Sequence, residues 1–232
     1  PAFRDTLIHK KGIAEDKIIF IPNAADFSLS DDLVQNFDVK DFKDRNDLND
    51  KFVITYVGAH GVANHLDQIL ETAILLKDTN VLFLLIGDGM EKPRLIKKAK
   101  VENIQNVHFI NPVPKAEVFK YILASDMGTS VLKNVETFKT VYSNKTFDYM
   151  ACKKPILMAI DGVSRDLVEK ADAGIFVQPE NPEDFAIKIK QYLPNPSELI
   201  RQGENGYQFA KDNFDRMVLA NRYLNLIQQS LK

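Results

Sequence analysis

From Phe52 onward, short apolar runs alternate with segments whose apolar residues recur at helical spacing. FVITYV (52–57) runs into Gly58-Ala59-His60-Gly61, after which Leu66, Ile69, Leu70, Ala73 and Leu76 fall on one helical face. VLFLLI (81–86) leads into Gly87-Asp88-Gly89 and a lysine-rich helix. VHFI (107–110) ends at Asn111-Pro112 and precedes a helix from about Lys115 to Leu123. SDMGTSVL (125–132) predicts a fourth, weaker strand, PILMAI (155–160) a fifth and GIFVQP (174–179) a sixth. One helix is expected between Ser143-Asn144 and the Lys153-Lys154-Pro155 corner, and another just beyond Asp161-Gly162. Strands and helices in alternation predict right-handed βαβ units. The fold class is therefore α/β: a Rossmann-like parallel sheet of about six strands flanked by helices.

The flanks follow other patterns. Residues 1–30 predict a helical RDTLIHKKG closing at Gly12, then a short buried or edge strand in KIIFIP (17–22). Residues 31–50 are acidic and polar with scattered phenylalanines and predict a variable surface loop or partly ordered insertion. Past Gln178 the chain reads as helical: PEDFAIKIKQYL (182–193), a helix from about Pro196 to Asp212, and a last helix. That last helix carries a stripe of Met217, Ala220, Leu224, Ile227 and Leu231, which must cover either this sheet or another domain. The expected organisation is an interdomain segment (1–30), the polar loop (31–50), a nucleotide-binding body (51–212) and a terminal helix (213–232).

Composition excludes several classes. A net charge of −2 argues against nucleic acid as a partner. The one cysteine rules out a disulfide framework within the chain and fits a reducing compartment, so a cytoplasmic location is expected. No apolar run approaches the ~20 residues that span a bilayer. The chain begins at Pro1 and reads as a piece of something longer.

In an open parallel sheet, ligands bind beyond the C-terminal ends of the strands, near the point where strand order reverses. One stretch there combines several features. Ser143 and Asn144 open a helix whose first-turn NH groups suit a phosphate, with Lys145 inside that turn. Asp148, three residues on and on the same face, suits the vicinal hydroxyls of a ribose. Gly58 to Gly61 can present NH groups to a diphosphate at the start of the helix containing Leu66, with His60 as a candidate pocket donor. Gly87 is a further donor-binding candidate, where the backbone could approach a ligand closely, although Gly87 and Gly89 also end the second strand as glycines do in many α/β proteins. Neither G-x-G-x-x-G nor the P-loop pattern occurs, and this disfavours a dinucleotide oxidoreductase. His60 and His65 are five apart and do not form a zinc pair, and Cys152 lacks an activating base. No Asp-x-Asp occurs, so no metal site and no cofactor are expected, and diphosphate charge falls to cations and helix termini.

The segment SNKTFDYMACKKPILMAIDGVSRDLVEKADAGIFVQPENPEDFAIKI resembles the donor-site segment of the family 4 retaining glycosyltransferases, which have the GT-B fold. IIFIPNAAD, LIGDGMEKPRL and VHFINPVPKAEVFKYILASDM match further family motifs in order. The similarity covers most of the chain outside 31–50. It implies that this is the C-terminal, donor-binding half of a GT-B enzyme. Asp148 would replace the family's ribose-binding glutamate, and Lys145 would contact the donor diphosphate, backed by Gly58 to Gly61. The Ile110–Val113 loop would meet the base. The family's second acid falls at Thr140, with Glu136 nearby as a candidate catalytic substitute, and Lys133 and Lys139 are further candidates for phosphate.

The function expected from this resemblance is transfer of a sugar from a UDP- or GDP-linked donor, in bacterial surface polysaccharide synthesis. The isolated chain would be inactive without an N-terminal acceptor domain, and membrane contact would arise only in the full-length enzyme, at the cytoplasmic face. The alternatives are half of a GT-B UDP-sugar epimerase, or a nucleotide-binding Rossmann-like module without chemistry.

Overall fold

A computed structural model describes residues 2–230. The chain opens with α1 (Ala2–Asp5), continued as a wider turn over Thr6–Lys10 and ended at Gly12, whose φ of 64° suits glycine. The strand expected in KIIFIP does not form. Residues 18–24 carry no regular structure, and Ile19 and Phe20 are exposed. Pro22 removes a donor at the end of the run, and the first strand-like bridge comes only at Ala25, to Asp215.

The expected loop at 31–50 is instead ordered as part of two helices, α2 (Phe27–Asn36) and α3 (Val39–Arg45). The scattered phenylalanines are the reason: Phe27, Phe42 and Leu48 are buried. Phe37, Phe42 and Tyr121 stack edge to face at 5.3 and 4.9 Å. Asp38 caps α3 by accepting from the Asp41 NH at 2.9 Å.

The body then alternates as expected: β1 (Phe52–Val57), α4 (Asp67–Leu75), β2 (Val81–Ile86), α5 (Lys92–Val101), β3 (Val107–Ile110), α6 (Lys115–Leu123), β4 (Met127–Val131), α7 (Asn144–Ala151), β5 (Ile156–Ala159), α8 (Val163–Lys170), β6 (Gly174–Phe176) and α9 (Pro182–Tyr192). Two helices follow, α10 (Pro196–Phe214) and α11 (Arg216–Ser230). The six strands are all parallel, in the order β3-β2-β1-β4-β5-β6. The order reverses between β1 and β4, which opens a crevice beyond their C-terminal ends.

Alternating residues on each strand feed two cores. Ile54, Tyr56, Phe83, Leu85 and Leu157 pack with residues of α4, α5 and α9. On the other face, Val53, Leu82 and Leu84 pack with Phe42 and Leu48, while Ile156 and Met158 meet α6, α7, α8 and α10. Gly128 lets the Tyr149 ring lie flat against β4, where a Cβ would come within 2.3 Å of the ring. The Tyr149 hydroxyl then donates to the Thr129 carbonyl and accepts from the Val57 NH, both at 3.1 Å, tying β4 to the end of β1.

The apolar stripe of the last helix does not cover this sheet. Met217, Leu224 and Ile227 are exposed together with Val218 and Tyr223, while Leu219 is buried. Leu231 lies outside the described residues.

Candidate donor site at the switch point

Beyond β1 and β4 lies a cavity of about 370 Å³ lined by Val57, Gly58, Leu132, Val141, Tyr142, Ser143, Asn144, Lys145 and Asp148. The loop before α7 is held from behind: the Ser143 NH donates to Ser164 Oγ at 3.1 Å, and Ser164 donates to the Val141 carbonyl at 2.8 Å. The Ser143 hydroxyl faces Ser130 Oγ (3.3 Å) and Lys145 Nζ (3.4 Å), and it does not cap α7. The first turn of α7 is therefore left without a side-chain cap at the cavity. At its other end α7 stops at Lys153, which takes a φ of 55°, before the Pro155 corner.

Lys145 is partly buried, with Nζ 4.9 Å from the centre of the Tyr56 ring. Gly58 makes room for it, since a Cβ there would sit 3.2 Å from Lys145 Cε. Burial pushes the lysine pKa down to about 8, an effect that Asp148 partly offsets. Asp148 moves the other way. Burial raises its pKa, opposed chiefly by Lys115, whose ammonium lies 3.4 Å from Oδ1. One cation and one carboxylate thus share one crevice, where burial disfavours the charge on each and a neighbour of opposite sign offsets part of that.

The other sequence-predicted residues are placed differently. Gly61 lines a neighbouring cavity of about 290 Å³ with His65, Asp67, Arg94 and Lys133. Gly58 to Gly61 do not run straight into the helix containing Leu66. A turn at Val62–Asn64 and a left-handed His65 intervene, and Asp67, paired with Arg94 and Lys98, already balances the first turn of α4. The His60 ring is fully buried between Tyr56 and Phe109 at 6.1 and 6.2 Å, and it does not line the cavity. Burial, reinforced by Lys92 and opposed by Asp88, lowers its pKa to about 4, so it is neutral. Its backbone does the work: the His60 NH donates to the Asp88 carbonyl (2.8 Å) and its own carbonyl accepts from the Glu91 NH (2.9 Å).

Gly87 serves loop packing, because a Cβ there would lie 2.0 Å from the Gly58 carbonyl oxygen. The Ile110 carbonyl is already used within the protein, accepting from the Gly87 NH at 3.0 Å and from Lys92 Nζ at 3.1 Å. Neither Ile110 nor Val113 lines the switch-point cavity. Glu136 projects into solvent, 89% exposed, and pairs with Lys139. Among the described residues, no group of three His, Cys, Asp or Glu side chains is arranged to hold a metal ion, and no helix is long and apolar enough to cross a membrane.

Sequence reasoning missed the neighbours of Asp148. Lys115 opens α6, Asp26 sits just before α2 and Arg216 begins α11, so they are far apart in sequence. Asp26 and Arg216 meet because Ala25 bridges to Asp215, and no spacing rule exposes that contact.

The family model of the group 1 glycosyl transferases matches residues 38–209. The chain belongs to that family. It is 24% identical over 225 residues to WcaI of Escherichia coli (strain K12), a colanic acid biosynthesis glycosyl transferase by name, covering 94% of this chain and 53% of WcaI. It is 25% identical over 156 residues to an uncharacterized glycosyltransferase of Methanocaldococcus jannaschii, covering 67% of this chain and 42% of that protein. The chain spans about half the length of these curated relatives. Among solved structures, a glycosyltransferase of Rickettsia africae aligns with a TM-score of 0.82 at 18% identity, covering 99% of this chain and 62% of the other. Anabaena HepE in complex with UDP-glucose aligns at 0.79 and 16%, covering 97% and 61%. These likenesses establish the fold, a Rossmann-like α/β body of the kind that makes up half of a GT-B architecture.

Proposed function

We propose that this chain is the donor-binding half of a retaining glycosyltransferase that moves a sugar from a nucleotide diphospho-sugar, UDP- or GDP-linked, to an acceptor in surface polysaccharide synthesis. The observation that carries the reading is the convergence of Lys145, Asp148 and the uncapped first turn of α7 on one cavity at the sheet's switch point. Lys145 and the α7 NH groups take the diphosphate, and Asp148 takes the ribose hydroxyls. Catalysis then rests on positioning the sugar and stabilising the leaving diphosphate, with no metal. Family membership, the name of WcaI and the UDP-glucose bound to HepE support the same reading. An N-terminal half of the full-length protein brings the acceptor and covers the apolar stripe of α11, and any contact with the cytoplasmic face of a membrane belongs to that longer protein.

Titration calorimetry with UDP, GDP and NAD tests this class assignment. UDP or GDP should bind at micromolar to millimolar concentration and continue to bind in EDTA. Selective NAD binding, or binding abolished by EDTA, would refute it.

A further inference from the structure

Asp148 is one of four charges that meet beside the cavity. Its Oδ1 lies 3.4 Å from Lys115 Nζ, and the same ammonium lies 3.7 Å from Asp26 Oδ2. Asp26 Oδ2 in turn accepts from Arg216 Nη1 at 2.6 Å. The four groups come from α7, the start of α6, the segment before α2 and the start of α11. The last two are also joined through the backbone. The Ala25 NH donates to the Phe214 carbonyl at 2.8 Å, and the Arg216 NH donates to the Ala25 carbonyl at 3.1 Å. Lys115 is the member that touches both carboxylates.

We propose that Lys115 is a positioning residue for donor binding: held between Asp26 and Asp148, it keeps the ribose-binding carboxylate ionised and aimed, and ties it to the junction between the interdomain segment and α11. This deepens the donor-site reading above and rests on it. An ionised carboxylate offers acceptors to both hydroxyls of a ribose, whereas a protonated one gives up part of that capacity. Burial drives Asp148 toward the protonated form, and Lys115 opposes it most strongly, followed by Arg216, while Asp26 pushes the other way. The remaining ionisable neighbours, Lys145, Tyr149 and Cys152, lie on α7 or at its end and are coupled to Asp148 by charge. Lys115 is 41% exposed, so the fold can lose its ammonium without opening a core. Asp26 is bound to the final helix through Arg216, so a ligand that draws Asp148 toward its hydroxyls changes what Lys115 shares with that junction.

The test is UDP titration of the unaltered chain and of Lys115→Met, Lys115→Arg and Asp26→Asn between roughly pH 4 and 8. Affinity is read as the ratio of variant to unaltered chain, which cancels the titration of the phosphate. Lys115→Met should weaken UDP roughly tenfold and move the acid-side loss of binding to higher pH. Lys115→Arg should restore most of both, and Asp26→Asn should move the loss to lower pH. Unchanged affinity in Lys115→Met, an equal loss at every pH, or shifts of the same sign in Lys115→Met and Asp26→Asn would overturn the assignment while UDP still binds the unaltered chain. If the unaltered chain does not bind UDP, the donor-site reading fails and takes this inference with it.

Discussion

Lys145 is the residue at which the proposed function and stability pull apart. Its folded-state pKa of about 8 lies below the ordinary lysine value of 10.5, so the folded protein binds fewer protons than the unfolded chain between those limits. Stability therefore rises with pH across that window, and the penalty for holding the buried ammonium is full below it. Replacing the charge should relieve that penalty. Lys145→Met is expected to raise unfolding free energy at pH 7 by on the order of 1–2 kcal/mol in chemical denaturation, with the gain shrinking toward pH 10. Cys152 provides a contrasting case. Burial raises its thiol well above the ordinary range, so it should resist alkylation in the folded chain and react only on unfolding, as thiol-labelling rates will show.

At the scale of elements, the site depends on how β1 and β4 are tied together behind it. The Tyr149 hydroxyl spans the gap, and Tyr149→Phe leaves the Val57 NH and the Thr129 carbonyl without that partner. A loss of about 1–3 kcal/mol in denaturant unfolding is expected. Gly128→Ala should cost more, because its methyl group would occupy the space of the Tyr149 ring. Six strands and the helices between them were legible in the sequence because short apolar runs alternate regularly with segments of helical spacing, even where one strand is weak. Lys145 and Asp148 were legible because one helix carries both. What failed was decided by contacts distant in sequence. KIIFIP has the composition of a strand but no partner strand beside it, and the polar 31–50 stretch is ordered by Phe37, Phe42 and Leu48 against Tyr121 and the sheet. The inward turn of His60 and the capture of the Ile110 carbonyl by Lys92 likewise follow from loop packing, which a motif does not record.

At the scale of the molecule, the described residues form a sheet with both faces covered and a final helix with one face bare. Asp215 redirects the chain: its carboxylate caps α11 by accepting from the Met217 NH at 2.8 Å. The exposed residues of α11 contribute little to this body, so Leu224→Glu should change its stability by no more than about 0.5 kcal/mol while lowering self-association in sedimentation velocity. The charge cluster of Asp26, Arg216, Lys115 and Asp148 places the foot of that helix beside the switch-point cavity. In the donor site we propose, labour is divided: Lys145 takes the phosphate and Asp148 the ribose. Paired titrations with uridine and UDP test it most directly. Lys145→Ala should weaken UDP strongly and leave uridine unchanged, whereas Asp148→Ala should weaken both. Equal loss of uridine and UDP in Lys145→Ala, or full retention of uridine in Asp148→Ala, would contradict it.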